Sequence, residues 1–149
     1  MLVYRISLTH RAKSLSGSGY PARWNSKGSF LIYTAASRAL ACLENIVHRS
    51  GEGLSLNFKI LTIEIPDEIS ISEIKPSQLR KDWTEYQNYI FSQKIGDEWL
   101  KTGITAVLKI PSAIIPEESN LLLNPAHPQF KKIKIIEVDD FIFDNRIKL

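Results

Sequence analysis

The sequence predicts an α+β fold, a compact mixed β-sheet core with flanking helices. Three observations carry that expectation. Apolar–polar alternation recurs in five or six short stretches, the period switches to that of a helix between residues 37 and 48, and the other helical segments do not alternate strictly with strands. Strict alternation would instead announce a doubly wound parallel sheet.

Leu2, Tyr4, Ile6 and Leu8 alternate with Val3, Arg5 and Ser7, which makes a strand with Arg5 on the face opposite Tyr4. Ser14–Gly19 is a Ser/Gly loop, continued by Pro21-Ala22-Arg23-Trp24-Asn25 and a Lys27-Gly28 turn. Phe30–Thr34 is a short apolar strand. Ser37–His48 follows as a helix, with Thr34 as its N-cap and Ala36, Leu40, Leu43 and Val47 as its buried stripe. Ser50–Gly53 ends it. Along Leu54–Ile65 the apolar face runs Leu54, Leu56, Phe58, Ile60 and then switches to Leu61, Ile63, Ile65, so a bulge or bend is expected near Ile60. Pro66 closes that strand. A short helix is expected near Ser77–Lys81, then helical segments over Thr84–Ser92 and Ile95–Lys101, stopped by Gly103. Ile104–Ile110 returns to strand and Pro111-Ser112-Ala113 breaks it. Pro116–Pro128 reads as a loop holding Asn120, Asn124 and His127. Phe130–Val138 and Phe141–Asp144 are the last strands.

The 149 residues, 44% hydrophobic and 23% charged, make one domain, 1–149. A chain of that length buries roughly two thirds of its unfolded surface. Lys and Arg number 19 against 16 Asp and Glu, a net charge of +3. The basic residues do not cluster, so no direct nucleic-acid partner is expected. One cysteine, Cys42, excludes an internal disulfide and a Cys-based zinc site, and His10, His48 and His127 lack metal-ligand spacing. No metal is expected. Arg5 interrupts any leader-like apolar start, and no apolar run approaches the ~18 residues of a membrane helix. The expected setting is the cytoplasm, without a membrane. Oligomeric state is not legible, and a homo-oligomer stays open.

Familiar catalytic devices are missing: there is no Gly-x-Ser-x-Gly elbow, phosphate loop or dinucleotide glycine fingerprint. Glu117-Glu118 and Asp139-Asp140 read as solvated surface, and His48 as a partner for the helix C-terminus. Cys42 falls opposite the expected apolar stripe. Glu44 stands apart. On a wheel of ~100° per residue it lies about 40° from Leu40, at the border of the buried stripe. A carboxylate there is either an ordinary salt-bridge partner or a partly desolvated reactive group. Arg23 beside Trp24, in a Gly/Pro-bounded loop, suits bidentate binding of a carboxylate or phosphate, or else caps a backbone carbonyl while Trp24 fills the core. Tyr33 ends a strand just before the helix, placed to stack on a ligand ring or to pack.

Taken in order, Val3-Tyr4-Arg5-Ile6, Ala22-Arg23-Trp24-Asn25 with Gly28, Ile32-Tyr33-Thr34, Ala39-Leu40-Ala41-Cys42-Leu43-Glu44 and Gly96-Asp97-Glu98-Trp99-Leu100 resemble the RES-domain family. So do Ile110-Pro111-Ser112-Ala113, Asn120-Leu121-Leu122-Leu123-Asn124-Pro125-Ala126-His127-Pro128 and Phe143-Asp144-Asn145-Arg146. They span nearly the whole chain. One departure is Pro21-Ala22, where the family often has glycines, and a slightly different loop path is expected.

The resemblance implies the toxin of a bacterial type II toxin–antitoxin pair, a fold similar to ADP-ribosyltransferases, and NAD⁺ as substrate, not as cofactor. It implies an Xre-type antitoxin partner, expected to cover the pocket near Arg5 and Arg23. It also carries over Arg5, Arg23, Tyr33, Glu44, Ser112 and Asn124 as functional positions. In that scheme Arg23 and Arg5 hold the diphosphate, Tyr33 stacks on nicotinamide or ribose, Glu44 stabilises the ribosyl cation, and Ser112 hydrogen-bonds ribose or carboxamide. Asn124 joins the NAD⁺-binding set. The reaction is NAD⁺ hydrolysis or phosphorolysis. The alternatives are transfer of ADP-ribose to a host protein and a non-catalytic module that only binds its antitoxin. An RNA-cutting toxin is disfavoured by the lack of a His-based acid/base pair.

Overall fold

A computed structural model of the protein describes residues 1–48 and 57–147. The expected helix end at Ser50–Gly53, and Leu54 and Leu56 of the expected strand, lie outside the described residues. Among the described residues, seven strands form one mixed sheet: β1 (Leu2–Leu8), β2 (Ile32–Ala35), β3 (Phe58–Glu64), β4 (Ile71–Glu73), β5 (Val107–Pro111), β6 (Ser119–Leu123) and β7 (Lys134–Phe141). Their order across the sheet is β4-β5-β6-β2-β1-β3-β7. Two helices, α1 (Arg38–His48) and α2 (Tyr89–Thr102), lie outside the strand alternation. The α+β class expected from the sequence is the class the chain adopts.

The sheet is two half-sheets with a weak joint. β1 and β3 pair antiparallel over their whole length, from Leu2↔Glu64 to Leu8↔Phe58. β2 pairs with β6 over all four of its residues, from Ile32↔Leu123 to Ala35↔Asn120. Between β1 and β2, in contrast, one pair is in register, Tyr4↔Ala35. Past that pair the backbone groups of both strands lose their natural partners, and such groups must find others when buried. The carboxamide of Asn45 on α1 donates to the Ile6 carbonyl at 3.3 Å. Helix α1 also spans the joint: Leu40 and Ala41 pack with Ile6 of β1 and Ala35 of β2, and the Arg38 guanidinium lies 4.9 Å from the centre of the Tyr4 ring.

Side chains alternate across a pleated strand, so the strands other than β4 each feed at least two of three clusters. Val3, Ile32, Leu61, Ile63, Val107, Leu121 and Leu123 form one cluster, closed by Ala12 and Ile133. A second cluster gathers Ile6, Ala35, Phe58, Ile60 and Phe143 around α1. The third sets Leu108, Ile110 and Leu122 against Trp24, Trp83 and Trp99 beside α2. Each fully buried Leu or Ile contributes about 1.5–3 kcal/mol, and β5 and β6 are buried on both faces.

Helix α2 grips the loop that carries Arg23. Residues 93, 96 and 97 share one helix face. Gln93 donates to the Ala22 carbonyl at 2.8 Å, and Asp97 accepts from the Ser26 N–H at 3.1 Å. Between them a Cβ on Gly96 would sit 1.8 Å from the Trp24 carbonyl oxygen. Only glycine lets loop and helix touch there. Gly103 stops the helix as expected, in the left-handed region at φ 58° with its N–H on the Trp99 carbonyl.

Several elements differ from expectation. Thr34 is not the cap of α1: it belongs to β2, and its hydroxyl donates to the Leu121 carbonyl at 2.8 Å. Ser37 takes that place, accepting from the Leu40 N–H at 3.1 Å. Ala36 and Val47 of the expected stripe are exposed, while Ala41 is buried. Cys42, expected opposite the apolar stripe, instead packs against the second cluster, because α1 is covered from two sides. The bulge lies further on and in the neighbouring strand: Thr62 pairs with Glu137 and Ile63 with Ile135, leaving Ile136 of β7 unmatched. The phase slip at Ile60 reflects burial of β3 on both faces. The segments expected at Thr84–Ser92 and Ile95–Lys101 merge into α2 after a 3₁₀ turn at Tyr86–Asn88, and Ser77–Lys81 is reduced to a 3₁₀ turn at Pro76–Gln78. The expected loop Pro116–Pro128 contains β6, whose three buried leucines hide the usual alternation. Strand β4, only three residues and parallel to β5, carries too short a pattern to read. The expected strand Phe141–Asp144 is the end of β7 and a tail whose Phe143 packs edge-on against Phe58, ring centres 5.1 Å apart.

Gly96→Ala forces the Trp24 loop off α2. Overpacking of that kind costs about 1–3 kcal/mol or more, so a fall in Tm on the order of 10 °C is expected by circular dichroism. An unchanged Tm would show that helix and loop are not in this contact.

Candidate functional site

The gap between β1 and β2 opens into a cavity of about 710 Å³, walled by both strands, the loop at 21–24, α1, and the segment carrying Tyr86 and Tyr89. That volume falls within the roughly 300–1,000 Å³ typical of small-molecule sites. Arg5, Arg23, Tyr33 and Glu44 of the expected site residues all line it.

Glu44 sits on the inner face of α1, its side chain 20% exposed. Its Oε1 accepts from the Ser112 hydroxyl at 2.8 Å and from Asn120 Nδ2 at 2.5 Å. His48, one helical turn on, brings Nε2 to 3.2 Å from Oε2. Burial pushes the carboxyl's pKa up, but the hydrogen bonds from His48, Asn120 and Ser112 together outweigh it and hold the group below its ordinary value. The carboxylate is ionised at neutral pH and fixed in orientation.

Ser112 is fully buried and does not line the cavity. Its oxygen accepts the N–H groups of Ile114 at 3.1 Å and Ile115 at 3.2 Å, the turn that follows β5. A hydroxyl has one hydrogen, and here it goes to Glu44. Ser112 therefore positions the carboxylate, where the sequence led us to expect a direct contact with ligand. Asn124 is also elsewhere. It is 2% exposed, its Oδ1 accepts from the Ala126 N–H at 3.0 Å, and it stabilises the turn after β6 without lining the cavity. Asn120, in register with Ala35 at the joint of the sheet, does line the cavity, as does Asn45 of α1. The Asn120 Oδ1 is buried and has no hydrogen-bond partner among the described residues. The sequence signal was present, since Asn120 opens the same Asn-Leu-Leu-Leu-Asn run, but the run read as a loop.

The two arginines differ. Arg23 donates through Nη1 to the Trp83 carbonyl at 2.7 Å and through Nη2 to the Thr84 carbonyl at 2.8 Å. Its guanidinium lies 4.2 Å from the centre of the Tyr89 ring. Trp24 is buried in the core, so the capping-and-filling alternative describes much of what this pair does. Among the described residues Arg5 makes one hydrogen bond, from Nη1 to the Ser16 carbonyl at 3.0 Å. Burial, and then the charge of Arg11, push its pKa down. Among the described residues neither arginine has a carboxylate partner.

Tyr33 donates its hydroxyl to Asn25 Oδ1 at 2.6 Å and accepts from the Trp24 N–H at 3.2 Å. Burial raises its pKa well above the ordinary value, so the phenol stays neutral. Asn25, which sequence reasoning passed over, is the hub of the loop: its amide donates to the carbonyls of Tyr20 at 2.8 Å and Ser29 at 3.0 Å. Among the described residues no three His, Cys, Asp or Glu side chains form a group able to hold a metal ion, and no helix is long and apolar enough to cross a membrane.

Because Glu44 is held below its ordinary pKa, its contribution to stability is present above about pH 4.3 and is lost as pH falls through the depressed value. Ser112→Ala removes one donor, for which hydrogen bonds to charged groups suggest about 1.5–3 kcal/mol. A ¹³C NMR titration should find the Glu44 carboxyl shifted upward in Ser112→Ala. An unmoved titration would mean that the hydroxyl does not hold the carboxylate.

The family model described as the RES domain matches residues 2–144. The chain is 42% identical over 144 residues to the Prs ADP-ribosylating toxin of Sphingobium sp. (strain YBL2), covering 93% of this chain and 89% of that protein. It is 35% identical over 153 residues to Toxin Res of Yersinia enterocolitica, covering 99% of this chain and 100% of that protein. Among solved structures, the M. tuberculosis MbcT–MbcA toxin–antitoxin complex contains a similar fold, with TM-score 0.77 and 19% identity over 95% of this chain and 84% of that one.

Proposed function

The chain belongs to the RES-domain family, and from that premise we propose that it is a toxin of a bacterial toxin–antitoxin pair that breaks the nicotinamide–ribose bond of NAD⁺ in the cytoplasm. The observation that carries this reading is Glu44: an ionised, partly buried carboxylate held by three donors at the wall of a cavity that also presents two arginines. Nicotinamide leaves NAD⁺ as a neutral base from a cationic ring, so no general acid is needed. The transition state resembles an oxocarbenium ion, as in other glycosyl transfers. A pre-oriented carboxylate stabilises that developing charge without reorganising.

Arg5, a half-buried cation with, among the described residues, a single hydrogen bond and no carboxylate partner, suits the diphosphate. Arg23 contributes positive charge, although two of its donors are engaged by carbonyls. Tyr33, its hydroxyl already paired, offers its ring to nicotinamide or ribose. Ser112 acts through Glu44. An antitoxin of the Xre type is the proposed partner, supported by the fold neighbour's being a toxin–antitoxin complex.

A second reading has its own observation, the 42% identity to a protein named as an ADP-ribosylating toxin. In that reading the same bond breaks and a protein side chain accepts the ADP-ribose. Chromatography of NAD⁺ incubated with purified protein should detect nicotinamide release, reduced roughly 10²–10³-fold in Glu44→Gln. Full activity in that variant would remove Glu44 from the chemistry. Mass spectrometry of co-incubated cell proteins should find no added ADP-ribose if water or phosphate is the acceptor, and a modified protein if the second reading holds. If Glu44→Gln were as toxic in cells as the wild type and neither protein released nicotinamide, the protein would be a binding module instead.

A further inference from the structure

Tyr86 is 81% exposed, yet it is not on a loose loop. It opens the 3₁₀ turn Tyr86–Asn88 that leads into α2. Asn88, 8% exposed, ties that turn down by donating from Nδ2 to the Asp82 carbonyl at 2.9 Å and from its N–H to the Glu85 carbonyl at 3.1 Å. Behind it, Arg23 fastens the carbonyls of Trp83 and Thr84. The Tyr86 ring lies 4.7 Å from the Tyr89 ring, and Tyr89 carries the Arg23 guanidinium on its face at 4.2 Å. Both tyrosines line the cavity. A large aromatic side chain exposed to water on an anchored turn, at the mouth of a cavity, is placed to receive a flat group.

We propose that Tyr86, backed by Tyr89, is a stacking shelf for the adenine of the dinucleotide, and that it makes the site prefer a dinucleotide over a mononucleotide. The inference rests on reading the cavity as an NAD⁺ site. Two arguments assign adenine and not nicotinamide. The bond that breaks must lie beside Glu44, whose side chain is 20% exposed, whereas Tyr86 stands at the open end, where the far base of the substrate falls. Arg23 already places a positive charge on this aromatic stack, so the cationic pyridinium is repelled there and a neutral purine is not. The diphosphate then spans the distance between the two ends, near the arginines.

Calorimetry with ADP-ribose, which carries the adenine and lacks nicotinamide, tests the shelf independently of turnover. Base–aromatic stacking predicts binding weakened roughly 10- to 100-fold in Tyr86→Ala, with Tyr86→Phe close to wild type because the ring is retained. In steady-state assays Tyr86→Ala should raise KM for NAD⁺ by a similar factor and leave kcat within about twofold. Turnover of nicotinamide mononucleotide, which has no adenine, should not change. Tyr86 is exposed, so the melting curve of the variant should overlay that of the wild type. The shelf is wrong if the wild type does not bind ADP-ribose, if Tyr86→Ala binds it as well as the wild type, or if both substrates suffer equally. Tyr86-dependent binding of ADP-ribose without any nicotinamide release would retain the shelf and overturn the proposed reaction.

Discussion

The structure depends on a joint one residue pair wide. The strands of a mixed sheet normally share hydrogen bonds along their length, and β1 does so with β3, but with β2 it shares a single registered pair, Tyr4↔Ala35. The two half-sheets are free to part beyond it. That parting makes the cavity, and the fold then has to satisfy the backbone it leaves behind. Asn45 does so for the Ile6 carbonyl, and in the same turn of α1 the chain presents Glu44 to the gap. The helix that braces the joint therefore also supplies the carboxylate. Scaffold and site are one solution.

The site's polar groups are arranged from the backbone inward. Ser112 is oriented by two N–H groups of its own turn, Asn120 by its strand register, and His48 by the pitch of α1, and all three converge on one carboxylate. On the other side the order is reversed: the charged group is fixed by carbonyls, with Arg23 clamped to residues 83 and 84. Hydrogen bonds to charged groups are the stronger kind, and here they bind loops to one another. The cation–aromatic stack of Arg23, Tyr89 and Tyr86 extends that clamp to the edge of the cavity.

Elements whose pattern is local were legible in the sequence. β1 and α1 were read nearly to the residue, because alternation and helical period are properties of the segment itself. What failed needed the rest of the molecule. The leucines of β6 are buried on both faces, so the strand lacks alternation and its flanking prolines made it look like a loop. Asn120 was lost with it, and Asn124 stood in for its neighbour. Thr34 looks like a cap until β6 arrives to accept its hydroxyl hydrogen. Arg5, Arg23, Tyr33 and Glu44 are indeed gathered at one cavity, but the indirect position of Ser112 follows from two backbone bonds that no spacing rule encodes.

The hydrogen bonds at Glu44 also set an order of events during synthesis. Its partners Ser112 and Asn120 lie 68 and 76 residues further along the chain. A chain still on the ribosome, with α1 complete and β5 not yet made, holds the glutamate without either of them. β2 likewise waits for β6 to pair with. The carboxylate is finished late, when most of the polypeptide has been made, so a truncated product carries the residue but not its setting.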